Sequence, residues 1–371
     1  MRIAFVSAFD FAVPSGVNNH IQELSYQFEA WGHSTHIIAP CSDSQRVLAD
    51  NSVPMGKPVP IPSNGSIARI SFSIWLRPRI RKLLQDHAFD IVHLHEPFSG
   101  FVSLNTISVS ETVNIATFHS FRKSRFFQIG GSKLAMPYFR KLHGLIAASL
   151  PARDFINTHF PGDYEVIPNG IKVDQFRDGV SPFPELQDGM INLLFLGRLE
   201  NRKGLKHMLS AFSKLKWNWP NLRLIVVGAG DPDEDSYRIM SERNLKDVIF
   251  IGEVSGEDKA RYFKTADIYC SPATGRESFG IVLLEAMAAG KPIVASSIEG
   301  YSSVMTHGKE GLLVPPRDDD ALANAISVLL KDPELRIRFA SNGTYTAEKY
   351  RWERVALQIM NLYESRLRTV S

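Results

Sequence analysis

The chain has 371 residues, of which 44% are hydrophobic and 22% are charged, which is typical of a globular protein and excludes a disordered or fibrous one. This length predicts two domains of about 170 residues each. The formal net charge of +3 is too small to indicate a nucleic-acid-binding protein.

The opening segment, MRIAFVSAFDF, has one basic residue and a short apolar run that Asp10 interrupts. This pattern predicts a first β-strand and not an export signal. Apolar runs stay well below the roughly 20 residues that span a bilayer. Cys41 and Cys270 are far apart, so no disulfide framework is predicted. We therefore expect a cytoplasmic protein that is either soluble or peripheral on a membrane.

Short apolar runs alternate with helix-like segments along the whole chain. In the first half these runs are RIAFVS, THIIAP, DIVHLH, NIATFH, GLIAAS and YEVIP, and in the second half INLLFLG, LRLIVVG, VIFIG, ADIYCSP, KPIVAS and GLLVP. Such runs are typical of buried parallel strands, which helices must connect. Two successive series predict two doubly wound α/β domains.

Residues 168–189 are rich in Pro, Gly and Asp and lack a sustained apolar period, so they predict the domain boundary. We expect a first domain at 1–170, with a C-terminal helix at 352–367 packing back on it, and a second domain at 171–351. Ligands of open α/β sheets bind outside the carboxyl ends of the strands. Two such domains would face each other across a central cleft.

The segment RESFGIVLLEAMAAGKP contains two carboxylates, Glu277 and Glu285, around a predicted helix start near Gly280. The first N–H groups of that helix would suit a diphosphate. Glu285 could then accept hydrogen bonds from a ribose, and Glu277 could bind hydroxyls of an attached sugar. The alternative is a pair of acids at a solvated helix end.

Two further segments support an anion site. In GRLENRKG, Arg198 and Lys203 follow a predicted strand and could neutralise a diphosphate without a metal, although a basic surface turn is the alternative. In VPSGVNNH, Gly16 follows the first strand and would allow a phosphate or sugar to approach the backbone.

These motifs resemble a known family. GRLENRKG and ESFGIVLLEAMAAGKP look like the family-4 retaining glycosyltransferases of GT-B fold, whose second domain carries a Glu-x7-Glu motif. PSGVNNHIQEL, HLHEP, ATFHS, IPNGI, VVGAGD and EGLLVPP have counterparts there in the same order. VPIPSNGSIAR, VHLHEPF and QIMNLYES are similar to the bacterial phosphatidylinositol α-mannosyltransferases, which use GDP-mannose. The resemblance implies two Rossmann-like domains and a nucleotide-sugar substrate, with no cofactor and no metal.

The resemblance also implies roles for residues. The catalytic residues would be His119, Glu277 and Arg202, with His119 beside the reacting carbon of the sugar. A structural histidine at a strand end is the alternative for His119. The implied donor contacts are Gly16, Arg198, Arg202, Lys203, Val254, Ser255, Gly256, Lys259, Glu277, Ser278, Phe279, Gly280, Ile281, Val282, Leu283 and Glu285.

The family likeness implies that the anomeric configuration is retained. No carboxylate in the sequence is marked as a nucleophile for double displacement. We therefore favour same-face attack, in which the leaving phosphate assists deprotonation of the acceptor hydroxyl and the protein supplies positioning and charge stabilisation.

The segment WLRPRIRKLL predicts a basic amphipathic helix, with Trp75 at its start and the cations Arg77, Arg79, Arg81 and Lys82. Such a helix can lie on an anionic bilayer, where each cation contributes about 1 kcal/mol. FRKSRFF adds further cations among phenylalanines. A solvated helix face is the alternative. Given the lipid-modifying resemblance, we expect binding to the cytoplasmic face of the cell membrane.

The resemblance places the acceptor head group near Phe9, Asn18, Ser63, Asn64, Arg69 and Lys123. Of these, Arg69 is the natural partner of a lipid phosphate.

The sequence departs from the subfamily at three positions. Phe9 stands where a tyrosine is expected, Ser15 replaces the first of two glycines, and Ser255 replaces an acid that would read guanine. A UDP-sugar with another lipid or small-molecule acceptor therefore remains an alternative.

Other function classes are less well supported. Asp231 and Asp233 suggest the metal site of single-domain GT-A enzymes, and His93 with His95 suggests a metal pair for which no third ligand is evident. GAGDPD lacks the third glycine of a dinucleotide-binding fingerprint. A two-domain sugar-binding protein without catalysis is the non-enzyme alternative. No segment predicts the oligomeric state.

Overall fold

A computed structural model describes residues 1–43, 45, 49–63, 66–119 and 131–370, with the backbone alone at 62, 63, 66 and 370. The chain forms two compact units. One contains Met1–Gly170 and Trp352–Ser371, and the other contains Ile171–Arg351. Each unit is built on one parallel sheet.

The sheet of the first unit has the strand order β3-β2-β1-β6-β7-β8-β9, and all its neighbours pair in parallel. Its strands are β1 (Arg2–Ser7), β2 (Ser34–Ala39), β3 (Ser52–Pro54), β6 (Ile91–His95), β7 (Val113–Phe118), β8 (Gly144–Ala147) and β9 (Tyr164–Val166). A separate antiparallel hairpin joins β4 (Val59–Ser63) to β5 (Ser66–Ile70).

All the strands predicted for the first half are present, whereas β3, β4 and β5 were not predicted. The segments SVP and VPIPS contain prolines, which cannot donate to a strand ladder and so weaken a strand prediction. The structure places these short strands at a sheet edge or in the isolated hairpin, where proline is tolerated.

Helices cover both faces of the first sheet. They are α1 (Gly16–Ala30), α2 (Arg77–His87), α3 (Phe101–Val109), α4 (Ser132–Phe139), α5 (Leu150–Asn157) and α14 (Trp352–Val370). The apolar sides of α1 and α14 pack in one core cluster, which includes Phe28 and Tyr363. A second cluster contains Ile80 of α2 and Ile107 of α3. The C-terminal helix therefore belongs to the core of the first unit.

The sheet of the second unit has the order β12-β11-β10-β13-β14-β15 and is also parallel. Its strands are β10 (Ile191–Leu196), β11 (Leu222–Val227), β12 (Val248–Gly252), β13 (Ile268–Ser271), β14 (Ile293–Ser296) and β15 (Gly311–Val314). The six runs predicted for this half are all strands.

Two core clusters lie against the second sheet, one with α7 and α12 and the other with α6, α9 and α10. The helices of this unit are α6 (Val173–Arg177), α7 (Leu205–Lys216), α8 (Glu234–Glu242), α9 (Gly256–Thr265), α10 (Ile281–Ala288), α11 (Glu299–Ser302), α12 (Asp319–Lys331) and α13 (Pro333–Ala347). Both units are therefore doubly wound α/β structures, as predicted.

In both sheets the strand order reverses beside the first strand of the unit. The reversal lies between β1 and β6 in the first unit and between β10 and β13 in the second. At such a point the connections leave in opposite directions and open a crevice at the carboxyl ends of the strands. The loops after these strands are consequently the places to look for ligand-binding side chains.

A substitution of Tyr363 can test how α14 is attached to the first sheet. It is fully buried, and its hydroxyl lies 2.6 Å from Nδ1 of His93 in β6. Tyr363→Phe would leave that buried nitrogen without this partner, at a cost of about 1–3 kcal/mol. We expect a lower thermal unfolding midpoint by circular dichroism. Tyr26→Phe is the control, since Tyr26 is 65% exposed, and equal midpoints in the two variants would contradict the prediction.

Candidate functional site

In the second unit, the loops that follow β10 and β13 meet at the reversal of strand order. The two strands are hydrogen-bonded neighbours, and the N–H of Thr274 donates to the carbonyl oxygen of Arg202 at 2.8 Å. This contact joins the loop of GRLENRKG to the loop that carries Glu277. The fold thus brings together the two segments that the sequence singled out.

Five charged side chains form one network across these loops. Glu277 forms ion pairs with Arg202 and, at 2.7 Å, with Lys203, while Glu200 is 2.7 Å from Arg202 and 3.1 Å from Arg198. Arg202, Lys203 and Glu277 are only 15–18% exposed. Three cations face two carboxylates, so the network keeps a net positive charge that suits an anionic ligand.

Sequence reasoning missed Glu200 in this network. The position of Glu200 between Arg198 and Arg202 in GRLENRKG could have predicted this role, because an acid there can contact both neighbouring cations. Without that carboxylate, the two guanidinium groups would face each other with less compensation.

The loop that carries Glu277 packs closely against α11. A Cβ added to Gly300 would lie 2.0 Å from the carbonyl oxygen of Glu277, so only glycine allows this approach. Gly280, at the end of the same loop, has φ +98°, a conformation that other residues rarely adopt. The two glycines therefore determine where the backbone of Glu277 lies.

Helix α10 begins at Ile281, directly after Gly280, which confirms the predicted helix start. Leu283 is fully buried, and its N–H donates to the carbonyl oxygen of Gly280 at 2.9 Å. Its N–H is therefore engaged within the helix. Binding of a diphosphate by the first N–H groups of this helix stays a prediction.

Glu285 is the fifth residue of α10, is 9% exposed, and forms an ion pair with Lys259 of α9. The N-cap of α9 is Ser255, whose Oγ accepts from the N–H of Asp258 at 3.1 Å and lies 3.2 Å from the Asp258 carboxylate. Val254, just before it, is half-buried against the core, and Gly256 is exposed. The predicted donor contacts Val254, Ser255, Gly256, Lys259 and Glu285 thus lie at the start of α9 and on α10.

In the first unit, His119 follows β7 and is brought against the end of β6. Its Nε2 lies 3.1 Å from Nδ1 of His95, and its N–H donates to Oε1 of Glu96 at 2.7 Å. The ring of His20 in α1 lies edge-to-face against the ring of His119, with the two ring centroids 4.9 Å apart. Burial lowers the pKa of His119 to about 4, so its imidazole is neutral near pH 7.

The three histidines also form the one group of possible metal ligands found among the described residues, with nitrogens within 4.8 Å of one another. The hydrogen bond between His95 and His119 favours a hydrogen-bonded cluster over a metal centre. His93 does not join it, since its nitrogens face Tyr363 and Thr117. The predicted absence of a metal stays a prediction.

The loop after β1 and the start of α1 contain Phe9, Asn18 and Gly16, which were predicted to contact the acceptor or the donor. Asn18 is fully buried, with Nδ2 donating to the carbonyl oxygens of Asp10 and Val13 and Oδ1 accepting from Ser7. Its side chain therefore orders the loop. Gly16 is exposed, and a Cβ added there would meet nothing within 4 Å.

The other predicted acceptor residues are partly described. Phe9 is half-buried and forms a bridge with Ile70 at the end of β5. Arg69 is exposed on β5, and its carbonyl oxygen accepts from Asp10 at 2.9 Å. Of Ser63 the structure describes the backbone, at the end of β4, while Asn64 and Lys123 lie outside the described residues.

The basic helix α2 has the predicted two-sided character. Ile80 is buried, while the side chains of the four predicted membrane-facing cations are exposed, namely Arg77, Arg79, Arg81 and Lys82. Just before the helix, Trp75 is 84%, Ile74 57% and Phe72 47% exposed. FRKSRFF lies outside the described residues. Helices with the length and apolarity to cross a bilayer are not found in the described part of the chain.

Comparison with known proteins agrees with this architecture. Residues 14–175 match the family described as Glycosyltransferase Family 4, and residues 181–345 match the family described as Glycosyl transferases group 1. A phosphatidyl-myo-inositol mannosyltransferase of Mycobacterium leprae is 38% identical, covering 98% of this chain and 97% of the relative. Its counterpart in Mycolicibacterium smegmatis is 36% identical, covering 98% and 94%.

Solved structures extend the likeness to the fold. A sucrose-phosphate synthase from Thermosynechococcus elongatus aligns with a TM-score of 0.75 and 22% identity, covering all of both chains. A glycosyltransferase from Rickettsia africae aligns with a TM-score of 0.77 and 19% identity, covering 99% of this chain and 98% of its own.

The two-domain architecture contradicts the single-domain GT-A alternative. Asp233, one of the two acids that suggested it, is the N-cap of α8 and accepts from the N–H of Ser236 at 2.8 Å. The matches over both units, the full-length relatives and the two doubly wound sheets lead to one assignment. The chain is a glycosyltransferase of GT-B fold and belongs to glycosyltransferase family 4.

Proposed function

We propose that the chain transfers mannose from GDP-mannose to the head group of phosphatidylinositol, with retention of configuration, at the cytoplasmic face of the membrane. The mycobacterial relatives named phosphatidyl-myo-inositol mannosyltransferase support the sugar and the acceptor. The observation that carries the donor assignment is the charge network that joins Arg198, Arg202 and Lys203 to Glu200 and Glu277.

This network can exchange partners when a donor binds. A diphosphate carries negative charge on several oxygens and would take over the cations that Glu277 and Glu200 now occupy. Glu277 would then be available to accept hydrogen bonds from hydroxyls of the transferred sugar. Because the cations are already gathered, they can stabilise the charge that develops on the leaving diphosphate with little reorganisation.

The surroundings of Ser255 support a guanine donor. Ser255 itself is not acidic, but the carboxylate of Asp258 lies 3.2 Å from its hydroxyl, so an acid is retained at this end of α9. A carboxylate can accept from the amino group of guanine, which uracil lacks. The neighbouring pair of Lys259 and Glu285 provides a buried carboxylate for the ribose.

The exposed groups around α2 support a lipid acceptor. Trp75 and Ile74 can enter the interfacial region of a bilayer while the cations of α2 remain among anionic head groups. Arg69, exposed on β5, is the predicted partner of the lipid phosphate. Membrane binding by this surface would deliver the head group to the enzyme from the bilayer.

We propose same-face attack for the transfer step. The bond between the anomeric carbon and the diphosphate oxygen breaks as the acceptor oxygen bonds to the same face of that carbon. The acceptor proton passes to an oxygen of the departing diphosphate, whose charge the three cations stabilise. Neutral His119 would hold the sugar by a hydrogen bond, and Glu277 would fix its orientation.

The substrates can be tested with the purified full chain and radiolabelled nucleotide sugars. We expect transfer from GDP-mannose to phosphatidylinositol liposomes, and none to phosphatidylcholine liposomes. UDP-glucose is the parallel donor. Turnover of UDP-glucose without transfer from GDP-mannose would contradict the donor and acceptor assignment. No turnover of either sugar nucleotide, with binding retained, would favour a sugar-binding protein.

A substitution of Glu277 can test the proposed donor site directly. Glu277→Gln keeps the size of the side chain but removes the charge that pairs with Arg202 and Lys203, so we expect a loss of kcat of roughly 100-fold or more. Glu242→Gln, on the exposed side of α8, is the matched control and should transfer normally. Full transfer activity in Glu277→Gln would overturn the assigned role.

A substitution of Trp75 can test the proposed membrane-binding surface of the protein. An apolar side chain of this kind contributes about 1.5–3 kcal/mol when buried, so we expect Trp75→Ala to weaken binding to phosphatidylinositol vesicles about 10-fold or more. Co-sedimentation measures this affinity. Trp217→Ala is the control, because Trp217 is 88% exposed in the second unit. Equal binding by the two variants would contradict membrane insertion at Trp75.

A further inference from the structure

His119 is held by two consecutive residues at the end of β6. His95 contributes a ring-to-ring contact, in which Nδ1 lies 3.1 Å from Nε2 of His119 and the two ring planes differ by 21°. Glu96 contributes a backbone contact, since its Oε1 accepts from the N–H of His119 at 2.7 Å. The imidazole and the main chain of His119 are thus positioned by the same segment.

Glu96 adopts an uncommon backbone conformation to make this contact. Its φ is +54°, in the left-handed region, which is strained for a residue other than glycine. The residue is only 7% exposed, and its own N–H donates to the carbonyl oxygen of Thr117 at 2.9 Å. Such strain at a buried carboxylate is typical of functional sites and indicates that the placement of His119 is under constraint.

The hydrogen bond between the two rings has two possible directions. Burial lowers the pKa of both histidines, so both rings are neutral near pH 7, and one must donate an N–H to a lone pair of the other. Nε2 of His95 is buried and has no hydrogen-bond partner among the described residues. If His95 accepted at Nδ1, its Nε2 would carry a buried, unpaired N–H, which proteins rarely tolerate. If His95 donates from Nδ1, its own Nε2 carries no hydrogen and has only an unpaired lone pair.

We infer that His95 is a positioning residue, which donates from Nδ1 to Nε2 of His119 and thereby fixes the proton of His119 on Nδ1. His119 then offers the transferred sugar an N–H donor and not a lone pair. It can hold a hydroxyl or ring oxygen of the sugar, but it cannot remove a proton through Nδ1. This role rests on the proposed contact of His119 with the sugar.

The proton on His119 can be measured without any substrate. In the full chain labelled with ¹⁵N-histidine, two-bond ¹H–¹⁵N spectra distinguish protonated from bare ring nitrogens, and the His119 signals are those lost in His119→Asn. We expect a protonated Nδ1 and a bare Nε2 at pH 7.5. A protonated Nε2 in the wild-type chain would overturn the inference.

Two substitutions of His95 then separate hydrogen bonding from packing. His95→Asn keeps an N–H donor near the place of Nδ1 and should retain the tautomer and most of the transfer activity. His95→Phe keeps a ring without the donor and should give mixed tautomers and a kcat lower by roughly 10- to 100-fold, with little change in the donor KM.

Unchanged tautomer and kcat in His95→Phe would contradict a positioning role, as would equal losses in the two variants. Thermal unfolding of both variants shows whether they fold, and if His95→Phe does not, the wild-type spectrum and His95→Asn still decide the direction of the bond. A wild-type chain that transfers no sugar would refute the proposed function. It would leave the tautomer measurement unaffected.

Discussion

The predicted donor site in the second unit depends on holding like charges together. Arg198, Arg202 and Lys203 all point into the region at the end of β10, where they would repel one another without compensation. Glu200 and Glu277 supply that compensation from the two loops that meet there. Two carboxylates neutralise the three cations incompletely, and the remaining charge is what makes this place suitable for a diphosphate.

The network in turn depends on the order of the strands. Glu277 lies 75 positions after Arg202, and the two meet because β10 and β13 are neighbours at the reversal of the sheet. The close approach of Gly300 to the carbonyl oxygen of Glu277 then restricts the loop to one position. The first unit uses the same principle, since β6 and β7 bring His95, Glu96 and His119 to one edge of its sheet.

Much of the fold could be predicted because parallel strands are buried on both faces and therefore appear as continuous apolar runs. Such runs as RIAFVS and LRLIVV have the length and β-branched content of strands, and the start of α10 was marked by a glycine after a loop. The edge strand β3 and the hairpin of β4 and β5 were not predicted, because their prolines and short length hide the apolar pattern of a strand. Most members of the charge network were also predicted, because Arg198, Arg202, Lys203 and Glu277 lie within two short motifs.

The features that could be predicted are local. The two series of strands, the helix after Gly280 and the charged motifs at strand ends all follow from patterns within about 20 residues. Which distant groups meet was set by the tertiary structure. It turned the amide of Asn18 in α1 onto the loop that precedes this helix, and it placed His20 of α1 beside His95 and His119. These contacts depend on strand order and helix packing, which join residues far apart in the chain and leave no pattern in the sequence near any one of them.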